Sequence, residues 1–248
     1  MTIPFNCSKS KVLGFVLLTF LSVSTLFSQN SEIGLLIGGT AFYGDIAARP
    51  ETTLPQSRPI AGVFYRYHTS DRWAFRGQLA FGQLYADEKR YIVASVDNWR
   101  EKRGVSFTTP IVELSILPQF RLFSIGAVDF YAFTGFTGLY FNPKVNYNEP
   151  NVVIGDNNLD KNAVFSKFTW AIPGGGGMHW MMNEQTAIGF EVNGRKTNTD
   201  FIDGLNLTTQ TKVKDYYFFA NFTFSTFIGQ NSRGGYGRGG KNVGCPTF

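Results

Sequence analysis

The sequence predicts an all-β fold, an eight-stranded antiparallel transmembrane β-barrel with short periplasmic turns and longer extracellular loops. Three observations predict it. Segments alternating apolar and polar residues with period two recur along the chain. Their connections alternate between short and long, which gathers every long one on a single rim. After Gln29 no apolar run is long enough for a spanning helix, so a membrane-embedded form must be a closed barrel. Composition agrees with interleaving. Hydrophobic residues make up 43% of the 248 and include 25 Phe, yet mean hydropathy is only -0.09. A soluble β-sandwich would share those totals but has no reason to sort its loops by length.

The first element is a leader. Lys9 and Lys11 precede an apolar run over 12–27, and Ser28 offers a small residue just before Gln29. Residues 1–28 therefore read as a secretory signal peptide, although Leu26 is larger than such a cleavage site prefers. The run falls short of the roughly twenty residues that a spanning helix needs. Cys7 lies before the run and cannot be the cysteine of a lipoprotein signal.

The barrel is expected over 29–228, with strands near 32–44, 59–69, 72–84, 107–122, 128–142, 168–181, 185–196 and 215–228. Short joins fall at 70–71, 124–127 and 182–184, and long ones at 45–58, 85–106, 143–167 and 197–214. With eight strands, both ends of the barrel fall on the short-turn side.

The faces follow from parity. In the third strand Trp73, Phe75, Leu79 and Phe81 oppose Arg76 and Gln78. In the fourth, Val112, Leu114 and Ile116 oppose Glu113, Ser115, Gln119 and Arg121. In the seventh, Ile188, Phe190 and Val192 oppose Glu191, Asn193 and Arg195. In the eighth, Phe218, Phe222 and Phe224 oppose Asn221, Thr223 and Ser225. The first and fifth strands are apolar or small on both faces, which leaves their register open. Tyr67 and Trp73 are expected in one aromatic girdle, and Tyr43, Tyr85, Tyr140 and Tyr216 in the other. Pro173 and the run Gly174 to Gly177 predict a bulge or bend in the sixth strand. These glycines lack the lysine and helix of a phosphate loop.

Arg66, Arg76, Glu113, Arg121, Glu191 and Arg195 are expected on the inward face. A barrel of eight strands is just wide enough to be filled by side chains. Buried charges need partners, so this set is expected to form a salt-bridged plug, with a gated conduit or ligand site as the alternative. The histidines are His68 and His179. Neither sits in a nucleophile elbow or zinc motif. They read as interfacial aromatics near the short turns, and no catalytic residue, metal or cofactor is expected.

The remaining element is a basic tail over 229–248. The formal charge of +5 includes Lys9 and Lys11 in the leader and Arg233, Arg238 and Lys241 in the tail, so the barrel segment is formally neutral. The tail resembles an RNA-binding glycine–arginine segment, but an exported chain meets no nucleic acid. A flexible periplasmic linker is the plainer expectation. Once the leader is removed, Cys245 is the single cysteine of the chain, which in an oxidising compartment points to intermolecular pairing or a reactive thiol. Arg233, Arg238, Lys241 and Cys245 are the expected partner-binding residues.

Several stretches also carry a family resemblance. Glu32-Ile-Gly-Leu-Leu-Ile-Gly-Gly-Thr with Tyr43-Gly-Asp45 resembles the opening strand of PorG-like outer-membrane proteins. Arg58-Pro59, Phe64-Tyr-Arg-Tyr67 and Arg72-Trp-Ala-Phe-Arg76 are similar to that family's second and third strands, and Pro110-Ile-Val-Glu-Leu114 to its fourth. Gly138-Leu-Tyr-Phe-Asn-Pro-Lys144 and Asp200-Phe-Ile-Asp203 resemble the end of its fifth strand and its last loop. The resemblance implies a non-enzymatic component of the type IX secretion system, the machine that exports proteins and in some bacteria powers gliding motility. It implies a barrel among outer-membrane lipids that tethers a periplasmic ring made by a lipoprotein and its partner protein. The alternative is a stand-alone barrel in adhesion, envelope stability or small-solute passage.

Overall fold

The computed structural model describes residues 31–43, 54–87, 105–147, 166–183, 185–199, 201–204 and 215–228. The expected leader over 1–28 and the tail over 229–248 lie outside the described residues.

Among the described residues ten strands follow one another: β1 (Ser31–Tyr43), β2 (Arg58–His68), β3 (Trp73–Asp87), β4 (Val105–Ile125), β5 (Val128–Thr134), β6 (Phe136–Phe141), β7 (Lys144–Tyr147), β8 (Phe168–Met181), β9 (Thr186–Thr197) and β10 (Tyr216–Ile228). Every pairing among them is antiparallel. β10 returns to β1 with Ser31 opposite Ile228 and Tyr43 opposite Tyr216, which closes the sheet into a ring. The ring has eight staves because β5, β6 and β7 lie end to end along β4. Closure gives each of the eight staves a neighbour on both sides, and only the short β7 pairs on one side among the described residues.

The expected fifth strand is thus one stave in three pieces. Gly135 divides β5 from β6: a Cβ there would stand 2.1 Å from the Ile116 carbonyl oxygen, so only glycine lets the two backbones approach this closely. The bulge expected in the glycine run lies elsewhere. β8 keeps one register against β9 from Ala171 opposite Thr197 to Met181 opposite Ala187. The slip falls instead between Arg121 and Phe123, where β4 meets β5.

The short-turn rim carries the β2–β3, β4–β5 and β8–β9 hairpins together with both ends of the ring. Their turns are built by local polar groups. Thr69 N and Ser70 N donate to Trp73 O, and Trp73 N donates to Ser70 Oγ. Asn183 Oδ1 accepts from Gln185 N at 2.9 Å and Thr186 N at 2.7 Å, as a turn-forming asparagine does. The four longer connections all leave from the opposite rim.

Alternation along each strand sorts the residues. Outward positions carry Ile33, Leu35 and Ile37 on β1, Leu114 and Ile116 on β4, and Phe218, Phe222 and Phe224 on β10. Ile37, Leu114 and Phe222 are 66, 65 and 65% exposed, far from the usual fate of such side chains in water. The charged residues at outward positions of the described strands are Asp87, Lys144 and Lys196, all close to the long-loop rim. Tyr67, Trp73 and Trp180 stand outward near the short-turn rim, and Tyr43, Tyr85, Tyr140 and Tyr216 near the other.

Candidate functional site

The polar residues are inside. Starting from the short-turn end, Glu32 on β1 is fully buried and meets three cations or potential cations. Arg66 Nη1 donates to both of its oxygens at 2.9 Å, His68 Nε2 stands 3.0 Å from Oε2, and His179 Nε2 stands 3.3 Å from Oε1. The histidines therefore face the lumen rather than the membrane interface, a correction to the sequence expectation. Position explains it: His68 shares the parity of Arg66 on β2, and His179 that of Gly177 on β8.

One level further in, Glu191 on β9 receives Arg76 from β3, the stave directly across the ring. Arg76 Nη2 donates to Oε2 at 2.9 Å, and Nη1 and the Tyr131 hydroxyl both donate to Oε1. Arg66 Nη2 approaches the same oxygen at 3.8 Å, so one carboxylate ties two guanidiniums together. The Phe64 ring lies 5.1 Å from the Arg66 guanidinium carbon and 4.8 Å from that of Arg76, offering a π-face to both.

The next level repeats the scheme. Arg195 Nε donates to Glu113 Oε2 at 3.0 Å, the Tyr217 hydroxyl donates to Glu113 Oε1, and Arg195 lies 3.8 Å over the Phe219 ring. Tyr217 and Glu113 again come from opposite staves. Space for these long side chains comes from glycine. Gly175 and Gly177 point inward, and a Cβ would stand 2.4 Å from Asn193 Cβ at the first and 2.8 Å from Glu191 Cγ at the second.

Above the ions the lumen becomes apolar. Phe42, Ile60, Leu84, Phe107, Leu139 and Phe141 converge there, with Phe42 and Phe107 edge to face at 4.9 Å. The segment 201–204 folds into this end as a cap. Ile202 is fully buried, its carbonyl accepts from Thr109 Oγ1 at 2.6 Å, and its amide donates to Asp215 Oδ2 at 3.1 Å.

Of the residues expected in the lumen, Arg66, Arg76, Glu113, Glu191 and Arg195 meet in these levels. Arg121 does not. It stands at the short-turn mouth, 3.5 Å from Asp129 and bonded to the Asp71 carbonyl, because it lies opposite Arg72, one residue past the last β3–β4 pair of Trp73 and Phe120. Arg233, Arg238, Lys241 and Cys245 lie outside the described residues. Sequence reasoning missed Glu32, Tyr131 and Tyr217. For Glu32 and Tyr131 the signal was parity on strands whose two faces are both apolar, readable only when the neighbouring strand fixes the register, and for Tyr217 it was masked by the adjacent Tyr216.

A family model described as "Domain of unknown function (DUF6089)" matches residues 10–233. None of the curated proteins compared matches the chain. Among solved structures, the outer membrane protein OprG from Pseudomonas aeruginosa is 14% identical, with a TM-score of 0.42 over 80% of this chain and 96% of that one. Ail, the attachment invasion locus protein of Yersinia pestis, is 10% identical with a TM-score of 0.41 over 80 and 99%. Neisserial surface protein A is 6% identical with a TM-score of 0.44 over 80 and 97%. The barrel assignment stands on the hydrogen-bonded ring itself.

Proposed function

We propose that this chain, which belongs to the DUF6089 family, is a non-enzymatic outer-membrane barrel that tethers a periplasmic ring of the type IX secretion system. The observation that carries the membrane part is the inverted polarity of the barrel. Apolar side chains cover its outside, and ion pairs fill its inside. Water offers no reason for a continuous apolar belt of this height, and lipid does. Side chains meet across the lumen in successive levels, which supports a structural plug over a conduit. Glu32, the carboxylate that both histidines address, is already taken by Arg66, which supports a role without catalysis.

The secretion role draws on the resemblance of the strands to PorG-like proteins and on the tail. Ser31 and Ile228 pair at the short-turn rim. With that rim in the periplasm, residues 229–248 start on the side where a ring of lipoprotein and partner protein would sit. Arg233, Arg238 and Lys241 would meet an acidic surface there, and Cys245 would be placed for an intermolecular disulfide. The family match ends at residue 233, so Arg238, Lys241 and Cys245 belong to this chain beyond the shared domain.

Envelopes solubilised in mild detergent test this reading. The barrel should co-purify with the periplasmic ring proteins, and recovery of the barrel free of them rejects the tether. On non-reducing gels a high-mass band should vanish in Cys245→Ser, and an unchanged pattern removes the disulfide. After reduction of the disulfide, a membrane-impermeant maleimide should label Cys245 only once the outer membrane is permeabilised, and labelling of intact cells reverses the orientation.

A further inference from the structure

Exposed lysines gather on one side of the long-loop rim. Lys144 on β7, Lys167 just before β8 and Lys196 on β9 belong to three adjacent staves, and all three side chains are exposed. Among the described residues none of them is paired with a carboxylate. Across β4 the rim is balanced instead. β2 and β3 carry Arg58 and Asp87 there, joined through Tyr85, whose ring lies 4.1 Å from the Arg58 guanidinium carbon and whose hydroxyl donates to Asp87 Oδ2 at 3.3 Å. Aromatic side chains stand among the lysines. Lys196 Nζ lies 5.8 Å from the Tyr216 ring, Phe168 follows Lys167 and packs on Tyr140 at 4.9 Å, and Trp170 stacks on Phe136 at 6.0 Å. Phe168 and Trp170 are themselves exposed on the outer face. Lys196 lies opposite Ile172 of β8, so its stem starts within the apolar belt. A lysine stem covers such surface while its ammonium reaches polar surroundings.

Three like charges on neighbouring staves repel one another, and they keep that cost unless an anion comes between them. The described residues supply none on this face, so the anion has to come from outside the chain. The rings set where it comes from: they face lipid at the level where acyl chains give way to headgroups. An acidic polypeptide in water would meet only the ends of the lysines, whereas a lipid headgroup meets lysines and rings together. We propose that this face docks phosphorylated lipid headgroups of the outer leaflet, the ammoniums against phosphate oxygens and the rings against the adjoining glycerol or sugar and the upper acyl chains. Lysine suits the role as a point charge on a flexible stem, able to follow a headgroup that stays mobile. The docking face rests on the barrel lying in a membrane with its long loops outside, and not on the periplasmic tether.

The test uses the full-length protein extracted from envelopes into a non-ionic detergent. It is offered an equimolar mixture of phosphatidic acid and phosphatidylcholine with the same acyl chains, and the retained lipid is counted by native mass spectrometry. Phosphatidic acid should be retained at least about tenfold over phosphatidylcholine. Lys144→Gln, Lys167→Gln and Lys196→Gln should each lower that preference by about fivefold, the factor that one lysine contributes near an anionic headgroup surface. The triple variant should remove it. Neutralising the tail by the same three charges, with Arg233→Gln, Arg238→Gln and Lys241→Gln, should leave it unchanged. Equal retention of the two lipids overturns the proposal, and so does a loss of preference in the tail variant rather than in the lysine variants. Release of the lipid by excess inorganic phosphate would assign the face to soluble anions, and release by polyglutamate to acidic polypeptides; either result also overturns it. Each variant is confirmed as a folded barrel by its mobility on unheated gels, and the contrast between the two lipids in the unaltered protein stands even if a variant fails to fold. A barrel that inserts into vesicles yet retains both lipids equally loses the docking face alone, whereas failure to insert removes the membrane reading beneath it.

Discussion

Glu191 ties opposite sides of the interior together. Two guanidiniums and a phenol converge on its carboxylate, and the main pair spans opposite staves. Removing it strands Arg76 in a buried setting, while Arg66 keeps Glu32. Glu191→Ala is therefore expected to destabilise the barrel by about 3–5 kcal/mol, the usual cost of breaking one side of a buried pair. Replacing both partners, as in Arg76→Met with Glu191→Leu, should recover much of that loss, because no unpaired charge is left behind. Urea unfolding in detergent, followed by tryptophan fluorescence, measures both. Equal losses in the single and double variants would mean that packing, not charge pairing, is what Glu191 supplies. Parity on β2, β3, β4 and β9 was enough to separate Arg66, Arg76, Glu113, Glu191 and Arg195 from the lipid-facing side chains. Their pairing was not legible, since partners 82 or 115 residues apart become neighbours only when the ring closes. Tyr217 was hidden for a simpler reason: it follows Tyr216, and two adjacent tyrosines give alternation nothing to distinguish.

Among the elements, β8 departs furthest from what its residues imply. Pro173 and four consecutive glycines are poor strand formers, yet β8 runs unbroken along β9. Tertiary context outweighs propensity here. The inward glycines leave room that Glu191, Asn193 and Tyr131 occupy, and the pairing of both flanking staves holds the backbone extended. The run thus splits by parity. A Cβ at Gly174 meets nothing within 4 Å, whereas one at Gly177 collides with Glu191 Cγ and the Phe190 carbonyl. Gly174→Ala should preserve the compact band on unheated gels, with stability unchanged or raised by about 0.5–1 kcal/mol. Gly177→Val should lose that band, and its survival would show that the interior can repack around a new side chain. The β4–β5 slip teaches the reverse lesson. Nothing in the residues around Arg121 announces a bulge, and the slip that follows it goes unread although Arg121 itself keeps the register of its strand. Strand number, strand faces and the sorting of loops were legible because each is a local pattern; bulges and the inward cap at 201–204 depend on distant contacts.

At the scale of the whole molecule, the exterior is the feature that water cannot explain, and it yields a quantitative test. Phe222 sits midway along β10, opposite Ile37 on β1 and Phe190 on β9, so its surroundings on the outer face are apolar in every direction. Tyr216 belongs to the same strand and the same face, six residues away at the long-loop rim, opposite Tyr43 and Lys196. In a soluble barrel both positions are exposed surface, and an arginine at either would be nearly neutral. In a bilayer they differ sharply. Arginine near the midplane costs about 2–4 kcal/mol, and near the interface about 0–1 kcal/mol, where the side chain reaches water and headgroups. Phe222→Arg should therefore lower folding stability in lipid vesicles by several-fold more than Tyr216→Arg does. The readout is reversible unfolding in guanidinium with the barrel inserted in vesicles, and the difference between the two variants is the measured quantity. Comparing positions on one strand cancels the intrinsic cost of introducing arginine into a β-strand, so what remains reports depth in an apolar medium. A difference near zero would place the belt in water and would require another covering for residues that are two thirds exposed.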